Sequence, residues 1–203
     1  MEINGLSHPA PIRTIISSKG QALVEFALTL PLMLLLVLGI IEMAYALYDQ
    51  HIITKLTREG SNLISRDKSI QDAETAMNSM TNPPVNFSSN SKLIFSVLKK
   101  VGTIGTANYN KVILYQRHQI GTLSAQSIFT TQGAGSFGGA PNYVANNSDT
   151  DTSLQITNVP ASLQIPLGGF TYVTEIYTQH SLITPFDKIG LKLPTTLYSI
   201  AYF

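Results

Sequence analysis

Hydrophobic and polar positions change their rhythm several times along this chain, and each change marks an element. From Phe26 to Ile41 an uncharged, largely apolar run of 16 residues would extend about 24 Å as a helix. Adding Ala22–Val24 before it and Met43–Tyr48 after it carries the segment past the roughly 30 Å needed to cross hydrocarbon. Beyond Tyr48 the pattern becomes amphipathic. Ile52, Ile53, Leu56, Gly60, Leu63 and Ile64 recur at helical spacing, while Asp49, Lys55, Arg58 and Glu59 fall mostly off that stripe. One long helix is predicted from near Ala22 to about Ser65, its outer half packed on a globular domain. Pro31 lies inside it. The ring removes one backbone donor and crowds the carbonyl of Ala27, so a kink is expected there rather than an end.

Ser69-Ile70-Gln71-Asp72 has the form of a helix-start capping box, leading through Ala73–Met80 to a stop at Asn82-Pro83-Pro84. The periodicity then shortens. Leu93–Leu98 and Lys111–Tyr115 read as a hairpin around a turn region at Gly102–Asn110, with a short helix over Lys92–Val101 as the alternative. The second strand has no clean end, because polar Gln116-Arg117-His118-Gln119 precedes Ile120 and Gly121. Phe170, Tyr172, Thr174 and Ile176 alternate with Thr171, Val173, Glu175 and Tyr177, a clear strand pattern. Leu197–Phe203 supplies another, with Pro185 and Pro194 bounding the connection. Glu175, inside a strand, is expected to face solvent. A long Gly/Ser/Asn-rich stretch covers about 121–159, and its poorest part in large apolar residues is Ser124–Asp151. It is expected to be a flexible surface loop, either a partner contact or a disordered insert. The fold class that follows is α+β, with a long N-terminal transmembrane helix extending into a small antiparallel sheet that needs the helix against its apolar face.

Composition narrows the function classes. There are no cysteines, so disulfides, thiolate metal sites and cysteine nucleophiles are excluded. The formal charge of +1 lacks the footprint of a nucleic-acid binder. His8, His51, His118 and His180 fall in separate elements without ligand spacing, and no catalytic triad or carboxylate pair is visible. Asn147, Asp149 and Asp151 invite a calcium reading. Counted from Asp149, however, the sixth position is Leu154 and the twelfth Pro160, where an EF-hand needs Gly and Glu. A solvated turn is the better expectation. No catalytic residue, metal ligand or cofactor is expected.

The most specific signal is Gly20-Gln21-Ala22-Leu23-Val24-Glu25-Phe26, which runs directly into the apolar segment. A carboxylate at mid-bilayer depth costs roughly 2.5–3.5 kcal/mol, and less near the interface. Two simpler explanations leave it unused. A secretory signal peptide could be cut at Ala44-Tyr45-Ala46, but its apolar run would be long and the helical pattern continues past that point. A plain uncleaved anchor makes the Gly20–Glu25 spacing a coincidence. The type IV prepilin signature uses every feature. Gly20 leaves room in a protease cleft, Lys19 and Arg13 hold the leader in the cytoplasm, and cleavage makes Gln21 the new N-terminus. Glu25, at the fifth mature position, can pair with that terminus or a neighbour's and set register between subunits.

With Ala27-Leu28-Thr29-Leu30-Pro31-Leu32 and Gly39-Ile40-Ile41-Glu42, this opening resembles the TadE-like family of minor pseudopilins from tight-adherence (Flp) pilus systems. Val112–Arg117, Val173–Tyr177 and Leu197–Phe203 resemble later family segments more loosely, while Gly121–Val159 has no counterpart. The resemblance implies a pilin-like fold organised as a leader at 1–20, a transmembrane helix at 21–48 and an extracytoplasmic domain at 49–203. It implies a bacterial inner-membrane protein, N-terminus cytoplasmic, cut after Gly20 by a prepilin peptidase. Glu25 and Phe26 would serve assembly with the major pilin, other minor pilins and the inner-membrane platform. The chain's length suits a TadE or TadF type better than a TadG type. The rival reading is a singly anchored periplasmic binding or adhesion module without processing.

Overall fold

A computed structural model of the chain describes residues 18–66, 68–184, 188, 190 and 194–203. The expected leader therefore lies outside the described residues up to position 17. Helix α1 spans Ser18–Ser65 and runs on through Pro31. Helix α2 spans Ile70–Met80, strand β1 Ser91–Lys100, β2 Val112–Gly121, β3 Phe170–Gln179 and β4 Thr196–Tyr202. A 3-10 turn occupies Thr152–Leu154. The chain divides into two units, the first ending at Ile41 and the second running from Glu42 to Phe203.

In the first unit every described apolar side chain from Leu23 to Val37 is exposed, with Leu28 at 72% and Leu32 at 68%. A helix this apolar with no described residue packed on it needs a non-aqueous surround. The window of highest hydropathy in α1 is long and apolar enough to cross a membrane.

The second unit is built on an antiparallel sheet in the order β2-β1-β3-β4. Strand alternation sends Leu93 and Phe95 of β1, Thr174 and Ile176 of β3, and Ser199 and Ala201 of β4 to one face. There the outer half of α1 packs with Ile53, Leu56 and Ile64, and α2 adds Ile70, Ala73 and Met77. The Ser69 N-cap forms where the sequence predicts it, Ser69 Oγ accepting from the Asp72 amide at 3.0 Å, while the Asp72 carboxylate takes the Ser69 hydroxyl instead of completing a capping box. Gly60 marks the closest approach of helix to sheet, for a Cβ there would stand 2.8 Å from Thr174 Cγ2. Polar contacts add to this seam. The Thr57 and Ser199 hydroxyls are 2.7 Å apart, Ser61 donates to the Ala201 carbonyl at 2.9 Å, and Gln50 donates to the Tyr198 carbonyl at 3.0 Å.

Two expectations are corrected here. The alternative helix over Lys92–Val101 is a strand, and β2 continues through Gln116–Gln119 instead of stopping at Tyr115. A register shift between Val97 and Leu98 explains the broken pattern, since Val97 faces Gln116 but Leu98 faces Leu114. Gln116, Arg117 and His118 past the shift find partners, Gln116 donating to the Asn142 carbonyl at 2.8 Å. His118 stacks on Tyr143 with centroids 4.0 Å apart and bonds Glu74 at 2.8 Å. Arg117 bonds Ser127 and the Phe129 carbonyl.

The Gly-rich stretch is the second correction. It is long and mostly irregular, but it is packed against the sheet. Phe129 and Ile165 are buried against Leu98, Leu114 and Val173, while Ala145 and Leu154 close over Val101 and Ile113. Asn108, fully buried, organises its far part by donating to the Ser148 and Asp151 carbonyls, both at 2.8 Å. Gly135, at φ +64°, is required where it stands, because a Cβ would meet Leu154 Cδ2.

Candidate functional site

The residues singled out by the sequence lie together on the first turns of the described helix. Gly20 is exposed, with open space where a Cβ would be. Gln21 and Glu25 are one turn apart, a spacing that places them on one face, and the Gln21 amide donates to Glu25 Oε1 at 2.9 Å. Thr29 Oγ1 donates to the Glu25 carbonyl at 2.9 Å and lies 3.3 Å from that of Phe26. Phe26 is 62% exposed. A carboxylate and the side chain of the residue that would become the N-terminus therefore sit side by side, on a helix whose apolar surface is exposed among the described residues.

Residues 20–62 match the family model described as TadE-like protein. The chain is TadE-like over this segment. The TadE-like match ends inside α1, so the sheet and its covering stretch lie beyond it. It supports a pilin-like, Tad-pilus-associated protein, and the single apolar helix fits single-pass anchoring. No curated protein and no solved structure matches the chain.

The second unit contains two buried polar centres that sequence reasoning missed. The first lies where that unit begins. Glu42, 4% exposed, accepts from His180 Nε2 at 3.1 Å, the Ile183 amide at 3.1 Å, the Thr184 amide at 2.9 Å and Thr184 Oγ1 at 2.6 Å. His180 Nδ1 lies 2.7 Å from Asp49 Oδ2. Carboxylates only accept, so both imidazole contacts are hydrogen bonds when each ring nitrogen carries a proton. Glu42 and Asp49 are two turns apart on α1, and that spacing was the one signal available. Nothing in the sequence around His180 marks it as their partner.

The second centre corrects the expectation for Glu175, which is fully buried rather than solvent-facing. Its carboxylate accepts from the Ser127 hydroxyl, from the Ile128 amide at 2.9 Å and from Tyr198 Oη at 3.2 Å, with Tyr177 Oη at 3.4 Å. Ser127 in turn accepts from Arg117 Nη2 at 3.0 Å. Burial lowers the pKa of the Arg117 guanidinium, and the nearby Glu175 charge opposes that shift. Burial, and then the Glu175 charge, push the Tyr177 phenol up to about 12 and raise Tyr198 as well. These bonds fasten the start of the covering stretch to the sheet.

Asp149 and Asp151 are occupied by protein donors. Asp149 pairs with Lys99 at 3.1 Å and accepts from Thr103 at 2.7 Å, while Asp151 caps the 3-10 turn through the Ser153 amide at 3.0 Å. The Thr103 hydroxyl and then Lys99 hold the Asp149 carboxyl below its ordinary pKa. Among the described residues no cluster of three or more His, Cys, Asp or Glu side chains could hold a metal ion.

Proposed function

We propose that the chain is a minor pilin-like subunit of a Tad-type pilus, processed after Gly20 and acting in assembly, priming or tip formation. Its role is structural rather than enzymatic. The observation that carries the reading is the Gln21–Glu25 pair at 2.9 Å, within one turn of Gly20 in a TadE-like segment whose apolar surface finds no cover among the described residues of its unit. Cleavage frees an α-amino cation on Gln21, the residue whose side-chain amide holds that carboxylate. In lipid the pair relieves an otherwise isolated charge, and between subunits it fixes axial register. The partners of this step are the prepilin peptidase, the major pilin and companion minor pilins, with the domain held on the outer side of the inner membrane.

The span in this reading is Gln21–Ile41 rather than 21–48. Those residues cover about 32 Å as a helix, matching the hydrocarbon thickness. Glu42 is the first side chain satisfied by the outer unit.

Glu25→Val tests the role. The variant is expected to be inserted and cleaved normally, yet to leave cells with few or no pili. Wild-type piliation with a cleaved Glu25→Val subunit would remove the register role.

A further inference from the structure

We propose that the outer unit rests on the bilayer through the Ser181–Thr184 loop, with Ile183 inserted among the lipid headgroups and upper acyl chains. The inference rests on the reading that α1 is a membrane span, and it adds a second lipid contact made by the domain.

Three observations place the loop. First, the Ile183 and Thr184 amides donate to Glu42 at 3.1 and 2.9 Å, and Glu42 follows Ile41, the last residue of the apolar run, directly in the chain. The loop backbone is therefore bonded to the residue that directly follows the apolar run in the chain. Second, the Ile183 side chain is turned away from that network and is 56% exposed, although its neighbour Thr184 is buried. Third, α1 at this level continues the apolar character of the span, with Met43 68%, Tyr45 50%, Leu47 65% and Tyr48 62% exposed. No charged residue stands between Glu42 and Asp49. Among the described residues, the Glu42 and Asp49 side chains are each bonded to His180.

The collar thus presents an aliphatic loop residue, two tyrosines and two long apolar side chains to its surroundings, with the Glu42 and Asp49 carboxylates bonded to His180. This is the chemistry of the membrane interface, where aromatic rings sit at headgroup level and apolar side chains reach the acyl boundary. Water would leave five large apolar side chains exposed in one collar; lipid covers them in continuity with the span. A lipid-seated loop would also hold the domain at fixed depth before the subunit leaves the membrane.

The chain has no tryptophan, so one introduced residue reports without background. The full-length protein is reconstituted in phosphatidylcholine–phosphatidylglycerol vesicles, with or without lipid brominated high on the acyl chain. Tryptophan is placed by Ile183→Trp, by Leu34→Trp in the span, or by Ile104→Trp in the exposed β1–β2 turn. Ile183 is exposed, so the larger ring fits without repacking. The expected result is loss of emission with brominated lipid for Leu34→Trp and Ile183→Trp, and none for Ile104→Trp. Quenching of Leu34→Trp alone would overturn the loop contact and leave the anchor standing. If Leu34→Trp were unquenched, the anchor reading would fail, and the loop contact with it.

Discussion

Replacing Glu42 perturbs one group on which four donors converge. Glu42→Ala strips acceptors from His180 Nε2, two backbone amides and the Thr184 hydroxyl. The hydroxyl can rotate to another partner, but the amides and the ring cannot. Each buried donor left unmet costs roughly 1–3 kcal/mol, and loss of one member of a buried charged pair costs about 3–5 kcal/mol. Water entering the vacated space offsets part of this, so a local loss of about 3 kcal/mol is expected, or roughly a hundredfold change in an opening equilibrium. Glu42→Gln should behave differently. Its carbonyl can still accept from Ile183 and Thr184, and its amide can donate to His180 Nε2 once that nitrogen is unprotonated, with Nδ1 still donating to Asp49. Exchanging charged for neutral hydrogen bonds costs only about 1 kcal/mol. Amide hydrogen exchange of the peptide containing Ile183 and Thr184, in the full-length protein, reads both variants. Exchange should rise steeply in Glu42→Ala and modestly in Glu42→Gln. Equal protection in wild type and Glu42→Ala would refute the network as the loop's fastening, and a Gln variant as exposed as the Ala variant would refute the tautomer argument.

Gly60→Ala opposes a favourable helix-propensity gain of about 1 kcal/mol to overpacking of roughly 1–3 kcal/mol. The β-branched Thr174 is stiff, and its Cγ2 would lie 2.8 Å from the new Cβ, so a net loss of about 1 kcal/mol is expected in thermal unfolding, relieved by adding Thr174→Ser. A Gly60→Ala protein as stable as wild type would contradict the close helix–sheet approach. For alkaline pH the sign follows from the Tyr177 phenol, raised from 10.0 to about 12, and from Tyr198, raised in the same direction. The folded state keeps protons that the unfolded chain releases, so this contribution is full below pH 10.0 and falls as pH rises toward about 12. The phenolate absorbance of Tyr177 and Tyr198 should appear late and together with unfolding. Early titration of all the tyrosines without loss of structure would contradict the buried Glu175 centre.

The helices and strands were legible because each carries a pattern that few neighbours can alter. The period of α1, the Ser69 cap and the alternation in β3 are local, and they appear in the structure nearly as read. What escaped depends on distant chain segments. Glu175 alternates away from the α1-facing residues, and an acidic residue on that side of a small sheet defaults to solvent. Only a cover supplied by residues such as Phe129 and Ile165 makes the position interior. That cover was illegible because its anchoring side chains are scattered among glycines, serines and asparagines without a period. His180 joins Glu42 and Asp49 across more than 130 positions, and no spacing rule spans such a gap. The N-terminal pair was different. Gln21 and Glu25 are one helical turn apart, so their meeting follows from the helix alone.

Processing after Gly20 is the claim on which the assembly role depends, and intact mass with N-terminal sequencing of the membrane-purified protein tests it most directly. The account predicts a chain beginning at Gln21. A chain beginning at Met1 would contradict it and leave an unprocessed, singly anchored domain, while one beginning at Leu47 would make the helix a secretory signal and the domain a released protein.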